Sequence, residues 1–374
     1  MSEWGGGEEF LRTICSKISD FEFKIITPPG DSLNRFNESN IETIIENDLQ
    51  KMRQNGEGWN YFDSFKLLIK ILKASRRIAR IAKRDKCKLI LANGNYAGLY
   101  ALFIKFFTGI DFIVVQHLLY KDSSFESKSI KLQLRFAKLF VCVSNAVKQN
   151  LISISGTKKY VHKFEVLHLG MSLPDSHKIN TKKISNEKMN IALIGTIINI
   201  KGFHLVFEAM KIVKQSKNNF HIHLFGNPIE TDESKKYLQH LTDFAHNNLN
   251  GFVSFHGFQI SKDKIYLDAD IVINYSTIPE SFSLIVLEAM AYGKIVISAD
   301  EGGPKEIIDN NVNGFLVPPR SPEKLAEIIN MCLEDSSKNK LEEIKIEARN
   351  SVAENFTETK LLQNYKSLLH KMVS

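Results

Sequence analysis

The chain has 374 residues, 43% of them apolar and 24% charged, with a net charge of +7. That length calls for two cores of ordinary size, and the composition is that of a soluble globular protein, not of a disordered or fibrous one. Four scattered cysteines without a C-x-x-C pair argue against a zinc site or a disulfide framework and for a reducing cytoplasm. The opening residues do not read as a signal peptide, and no apolar run approaches the length of a membrane span.

In chain order, Met1 to Trp4 come first, then Gly5, Gly6 and Gly7, whose missing side chains let backbone approach a ligand closely. A helix is expected from Glu8. Short apolar runs then alternate with helical stretches, as in a parallel sheet. The predicted strands of the first half are Phe23 to Thr27, Lys88 to Asn93, Phe112 to His117, Leu139 to Ser144 and Phe164 to Leu167. The whole positive excess lies in this half, much of it in Lys73 to Lys88, a predicted helix preceded by Tyr61, Phe62, Phe65, Leu67, Leu68, Ile69, Ile71 and Leu72. Residues 61–88 fit two descriptions. One is a basic amphipathic helix on an anionic membrane surface. The other is a core-packing helix with a solvated basic face. Leu102 to Phe107 fits a surface patch or a buried helix. With no recognised nucleic-acid motif, nucleic acid is not expected as a partner.

Residues near 172–188 are polar and lysine-rich and read as a linker. The second half opens on Met189 to Gly195, followed by predicted strands at His221 to Phe225, Val253 to Phe255, Ile271 to Tyr275 and Lys294 to Ser298. His221 and His223 share one strand face and read as ordinary strand residues; the eleven histidines form no metal pattern. Between Glu280 and Gly293 two carboxylates, Glu280 and Glu288, flank a strand-to-helix turn. Leu284, Leu287, Met290 and Ala291 follow a helical period, so Glu280 belongs in the loop above the sheet, where open α/β sheets bind ligands. A carboxylate accepts hydrogen bonds from two neighbouring hydroxyls, and a helix beginning near Ser283 turns free N–H groups toward an anion. Two diols with a diphosphate between them describe a nucleotide sugar; the alternative is a plain helix with Glu288 on a solvated face.

These features resemble the retaining glycosyltransferases of family four, the glycosyl transferases group 1. The resemblance runs from Gly5 to the C-terminus and is densest from Ile191 to Pro319. It rests on the Glu280–Glu288 spacing, on Gly195-Thr196-Ile197-Ile198-Asn199-Ile200-Lys201-Gly202 and on Asn313-Gly314-Phe315-Leu316-Val317-Pro318. It implies an α/β fold of GT-B architecture, two Rossmann-like domains with parallel sheets facing across a cleft. The boundaries expected are an acceptor-side domain over 1–171, a linker over 172–188, a nucleotide-sugar domain over 189–345, and helices over 346–374 crossing back to the first domain. In the family a strand precedes the glycine loop. Four residues cannot supply one, so the expectation is a chain that begins downstream of the family's start and lacks a central strand. A natural variant whose sheet closes differently is the alternative.

By resemblance the activity is transfer of a hexosyl unit from a nucleoside-diphosphate sugar to a hydroxyl of a growing glycan, as in bacterial surface polysaccharide or lipid-linked oligosaccharide synthesis. A sugar-nucleotide epimerase and a non-catalytic sugar-nucleotide binder are the alternatives. His117, Glu280 and Lys201 are the expected catalytic residues: His117 near the donor sugar, Glu280 on the hexose hydroxyls, Lys201 on the pyrophosphate. Glu288 takes the ribose. Phe282, Ser283 and Leu284 present backbone N–H groups, Gly257 and Phe258 hold the base, and Gly195, Thr196, Gly6 and Gly7 line the phosphate side. Ser144 matches a family serine. Thr196 stands where the family has an arginine, so bidentate phosphate recognition is lost there. No cofactor and no metal is expected, since no D-x-D motif is suitably placed. The partners implied are the donor, a glycan or lipid-linked acceptor and, on one of the two descriptions of residues 61–88, an anionic membrane surface. The location implied is the cytoplasm, peripheral to the inner membrane face if that description applies.

Overall fold

The protein is described from a computed structural model covering residues 5–30, 32–49, 61–122, 124–175 and 188–373, with the side chains of 61–65 left out. It divides into two compact units, residues 1–169 with 359–374, and residues 170–358. In the first unit the order is α1 (Gly6–Lys17), β1 (Lys24–Thr27), α2 (Ser32–Glu38), β2 (Glu42–Ile45), α3 (Tyr61–Arg84), β3 (Leu89–Asn93), α4 (Asn95–Thr108), β4 (Asp111–Gln116), α5 (Phe125–Phe136), β5 (Leu139–Cys142), α6 (Asn145–Ser153) and β6 (Phe164–Val166). In the second it is β7 (Met189–Ile194), α7 (Phe203–Val213), β8 (Phe220–Phe225), α8 (Asp232–Asn248), β9 (Val253–Gly257), α9 (Lys262–Tyr266), β10 (Ile271–Asn274), α10 (Leu284–Ala291), β11 (Ile295–Ala299), β12 (Phe315–Val317), α11 (Pro322–Cys332) and α12 (Lys338–Asn355). The last helix, α13 (Glu358–Val373), belongs from Thr359 onward to the first unit.

The second unit has one parallel sheet in the order β12-β11-β10-β7-β8-β9. Its central strands are apolar on both faces, as helices on both sides require: Ile191, Leu193, Ile271, Val272, Ile295 and Val296 are fully buried. The chain runs outward from β7 to β9 and then returns to the other side of β7 as β10. That reversal puts the topological switch point between β7 and β10, where ligands of such sheets bind at the carboxyl ends of the strands.

The first unit is also parallel, but its strands form two sheets, β1-β2 and β3-β4-β5-β6. β2 falls where the sequence gives no strand signal. Among the described residues neither β1 nor β3 has a ladder partner on its other side. Ile26 of β1 and Ile90 of β3 nonetheless pack against one apolar cluster of Ile78, Ala79 and Ile104. Lys24 ion-pairs with Asp85 at 2.8 Å. Residues 1–4, on which the expectation of a missing strand bears, and most of the expected linker lie outside the described residues.

Helix α3 buries Leu67, Ile71, Ala74, Ile78 and Ala79, and turns Lys66, Lys70, Lys73, Arg76, Arg77 and Arg80 outward. Leu68 and Ile69 are exposed as well, whereas the side chains of Tyr61, Phe62 and Phe65 lie outside the described residues. On α4, Leu102 and Ile104 are buried and Phe106 is exposed. Among the described residues no helix is long and apolar enough to cross a membrane.

Candidate active site

The loops after β7 and β10 meet at the switch point through one ion pair. Lys201 Nζ donates to Glu280 Oε1 at 2.6 Å, with the two side chains 25% and 15% exposed. Gly202 makes this approach possible. Its φ is +68°, and a methyl group there would lie 2.0 Å from the Tyr275 carbonyl oxygen, so only glycine lets the turn carrying Lys201 close onto the end of β10.

Glu280 is held from three sides. Ser276 Oγ donates to Oε1 at 2.7 Å and Asn274 Nδ2 to Oε2 at 3.0 Å, in addition to Lys201. Burial pulls the Glu280 pKa upward, but the Lys201 charge and these hydrogen bonds outweigh it, and the net displacement is downward. Glu280 is therefore a fixed, ionised acceptor. Its backbone is braced by Gly302 and Gly303. Glu280 O accepts from Gly303 N at 2.8 Å, and a methyl at 302 would lie 2.4 Å from the same oxygen.

Asn274 Nδ2 also donates to Ser283 Oγ at 3.1 Å. Ser283 is the N-cap of α10 and is buried, yet its side chain makes no capping bond. Helix α10 starts at Leu284, so its first-turn amides have no intrahelical acceptor and carry the positive end of the helix dipole. Phe282 is buried, its ring 6.2 Å from that of Phe356.

Farther along α10, Glu288 also turns inward. Oε2 accepts from the Tyr266 hydroxyl at 2.8 Å and Oε1 from Lys262 Nζ at 2.5 Å. Each of the two carboxylates thus carries one lysine. On the other side of the switch point, Gly195, Gly226 and Gly257 end β7, β8 and β9 in a row, all with positive φ. Gly226 N donates to Gly257 O at 2.9 Å, and a methyl at 226 would lie 1.8 Å from Gly195 O. Phe258 follows with an exposed ring, its N–H bound to Asn227 Oδ1 at 3.2 Å. Thr196 is exposed, and its carbonyl accepts from Ile198 N.

The first unit gathers a separate cluster at its strand ends. Asn93 Nδ2 donates to Gly7 O at 2.9 Å, and His117 Nε2 meets Asn93 Oδ1 at 2.7 Å. Burial lowers the His117 pKa to about 4, so the ring is neutral near pH 7. Because Asn93 Oδ1 is an acceptor, Nε2 carries the proton and Nδ1 offers a lone pair. Phe10 of α1 packs edge-on to His117 at 5.3 Å. Here the expectation of a glycine loop is corrected: Gly6 and Gly7 form the first turn of α1, and only Gly5 precedes it. Glu8 accepts from Gly5 N at 3.0 Å and stabilises that earlier start. Ser144 caps α6 by accepting from Val147 N at 3.0 Å.

Sequence reasoning passed over Asn93, Ser276, Tyr266, Lys262 and Gly226. It absorbed Asn274 into an apolar strand, where a polar residue at the carboxyl end was the available signal. His221 and His223 do share a strand face; His223 Nδ1 meets His256 Nε2 at 2.9 Å, and His221 meets Ser254. Among the described residues no group of three metal-ligating side chains occurs.

Two family models match the chain almost end to end. The model of glycosyltransferase family 4 covers residues 4–173, and that of glycosyl transferases group 1 covers residues 175–351. An uncharacterized glycosyltransferase of Methanocaldococcus jannaschii is 26% identical over 68% of this chain and 64% of its own length. The lipopolysaccharide 1,2-N-acetylglucosaminetransferase of Salmonella typhimurium is 26% identical over 45% of this chain and 47% of its own. The chain thus spans about half to two thirds of these curated relatives. Among solved structures, Anabaena HepE in complex with UDP superposes with a TM-score of 0.83 at 20% identity, covering 99% of this chain and 98% of that one. A glycosyltransferase from Rickettsia africae gives 0.81 at 22%, covering 100% and 97%.

Proposed function

The chain belongs to the glycosyl transferases group 1, glycosyltransferases of GT-B architecture, and from that premise we propose that it moves a hexosyl unit from a nucleoside-diphosphate sugar to a hydroxyl of a growing glycan, with retention and without a metal or cofactor. The observation that carries this reading is the braced Lys201–Glu280 pair at the switch point beside the tip of α10. Glu280 accepts from hexose hydroxyls. Lys201 leaves Glu280 for the diphosphate, and the first-turn amides of α10 take the remaining charge. The bond from the anomeric carbon to the phosphate oxygen breaks, and a bond to the acceptor oxygen forms on the same face. The acceptor proton passes to the departing phosphate, so no carboxylate nucleophile is called for. Glu288 takes the ribose and the Gly257–Phe258 loop the base. His117 offers a neutral imidazole to a sugar hydroxyl.

HepE has been solved with UDP and with UDP-glucose, which favours a uridine donor as the first to try. Relatives in lipopolysaccharide and capsular polysaccharide synthesis support a surface-glycan acceptor. The exposed basic face of α3 supports an anionic membrane surface as the place where a lipid-linked acceptor is met.

The test is a panel of nucleotide sugars scored for diphosphate release and glycan product, with and without membrane lipid extract. Transfer to a glycan is the expected outcome. An isomerised sugar, or no turnover of any donor, rejects it. Glu280→Gln lowers turnover by about a hundredfold or more, the scale of losing a principal electrostatic contact, while the thermal transition stays cooperative. Unchanged rates in that variant would remove Glu280 from the site.

A further inference from the structure

Helix α9 carries three groups that close onto α10. Tyr266 and Lys262 bond the two oxygens of Glu288, and Asp263 accepts from the Tyr292 hydroxyl. The rings of Tyr266 and Tyr292 stack with centroids 5.1 Å apart. Tyr266 is 1% exposed, whereas the Lys262 side chain is 63% exposed. The two bonds to Glu288 therefore differ in kind. The phenol is locked in the core and cannot leave, while the ammonium stands in solvent and can be displaced at small cost.

We infer that Tyr266 is a positioning residue that makes Glu288 a selective reader of ribose, and that Lys262 holds the place of the ribose diol while the site is empty. The inference rests on the donor-site reading above and deepens it. A carboxylate accepts at both oxygens, with two lone-pair positions on each. With Oε2 fixed by Tyr266, the carboxylate plane is set and Oε1 points where Lys262 now sits. The 2′- and 3′-hydroxyls of a ribose displace Lys262 and donate to that oxygen face. Burial, with Glu288 beside it, raises the Tyr266 pKa well above the ordinary phenol value, so Tyr266 remains a proton donor throughout the working pH range. A free carboxylate would swivel toward whichever donor was nearest and would read no particular hydroxyl.

The experiment measures binding of UDP against 2′-deoxy-UDP, and of GDP against 2′-deoxy-GDP, by titration calorimetry. Comparing ribo with deoxyribo forms cancels every contribution of the base and the diphosphate. The wild-type protein is expected to prefer the ribonucleotide by about tenfold, the scale of one hydrogen bond to a charged group. In Tyr266→Phe the preference falls to about twofold or less, with the smaller loss of affinity on the deoxy form, which has only its 3′-hydroxyl on Glu288. Lys262→Met, at an exposed position, keeps or enlarges the preference even if it shifts both affinities together. A full ribose preference in Tyr266→Phe would overturn the positioning role. A preference lost in Lys262→Met and kept in Tyr266→Phe would make Lys262 the reader instead. If the wild type bound both forms equally, ribose reading by Glu288 would fall while the diphosphate site stood. If it bound neither these nor any other nucleoside diphosphate, the donor-site reading itself would fall.

Discussion

The two units are built on the same strand–helix alternation, yet they hold their strand-end clusters by different means. In the second unit the six-stranded sheet is continuous, and its switch point brings Lys201 and Glu280 into contact through backbone packed too tightly for any side chain. In the first unit the strands lie in two sheets, and Gly7, Asn93 and His117 are joined by side-chain hydrogen bonds beside a helix anchored by Phe10. Backbone-to-backbone packing fixes how closely the two loops approach, and no change of rotamer relaxes that approach. A site joined by side chains can adjust. The two are expected to respond differently to the same insult.

A methyl group is the sharpest such insult. Gly202→Ala forces a side chain to within 2.0 Å of the Tyr275 carbonyl at positive φ. It should destabilise the second unit by about 2–4 kcal/mol, measured by denaturant melting, and weaken nucleotide binding further. Gly7→Ala places its methyl 3.6 Å from Asn93 Nδ2, an ordinary contact on a helical turn. It should change stability by less than about 1 kcal/mol. Equal effects at the two positions would erase the contrast.

Acid is the next probe. The folded His117 pKa of about 4 lies below the ordinary value of 6.5, so the unfolded chain binds the proton more readily. The stability that His117 contributes is present above about pH 6.5 and is lost as pH falls toward 4. Glu280, also depressed, contributes stability above its ordinary value of 4.5 and loses it only as pH falls below that. His117→Asn should therefore flatten the slope of unfolding free energy between pH 6.5 and 4, while Glu280→Gln changes the profile only below it. A slope untouched by His117→Asn would show that this ring titrates normally.

The smallest effect on the fold is expected on the surface of α3. Lys70→Glu with Arg80→Glu should lower binding to anionic vesicles, by about 1 kcal/mol per charge removed, and leave unfolding within about 0.5 kcal/mol. Vesicle binding unaltered by both changes would leave that face merely solvated.

The element pattern was legible because buried parallel strands are short apolar runs, and ten of them stand out between longer helical stretches. β2 escaped notice because Glu42-Thr43-Ile44-Ile45 is half exposed and carries no such signal. The start of α1 was misplaced because glycine argues against a helix locally, whereas the Glu8 bond to Gly5 and the packing of Phe10 favour one. Both glutamates could be picked from their spacing across a strand-to-helix turn. Their partners could not, for Asn274 reads as strand and Lys262 as surface charge until the chain is folded. The sequence by itself determined which residues carry charge and which strands must be buried. Only the tertiary structure decided which lysine meets which carboxylate and which phenol fixes it, because those contacts join residues 22 to 79 positions apart, and no local pattern encodes a distance that the sheet order creates.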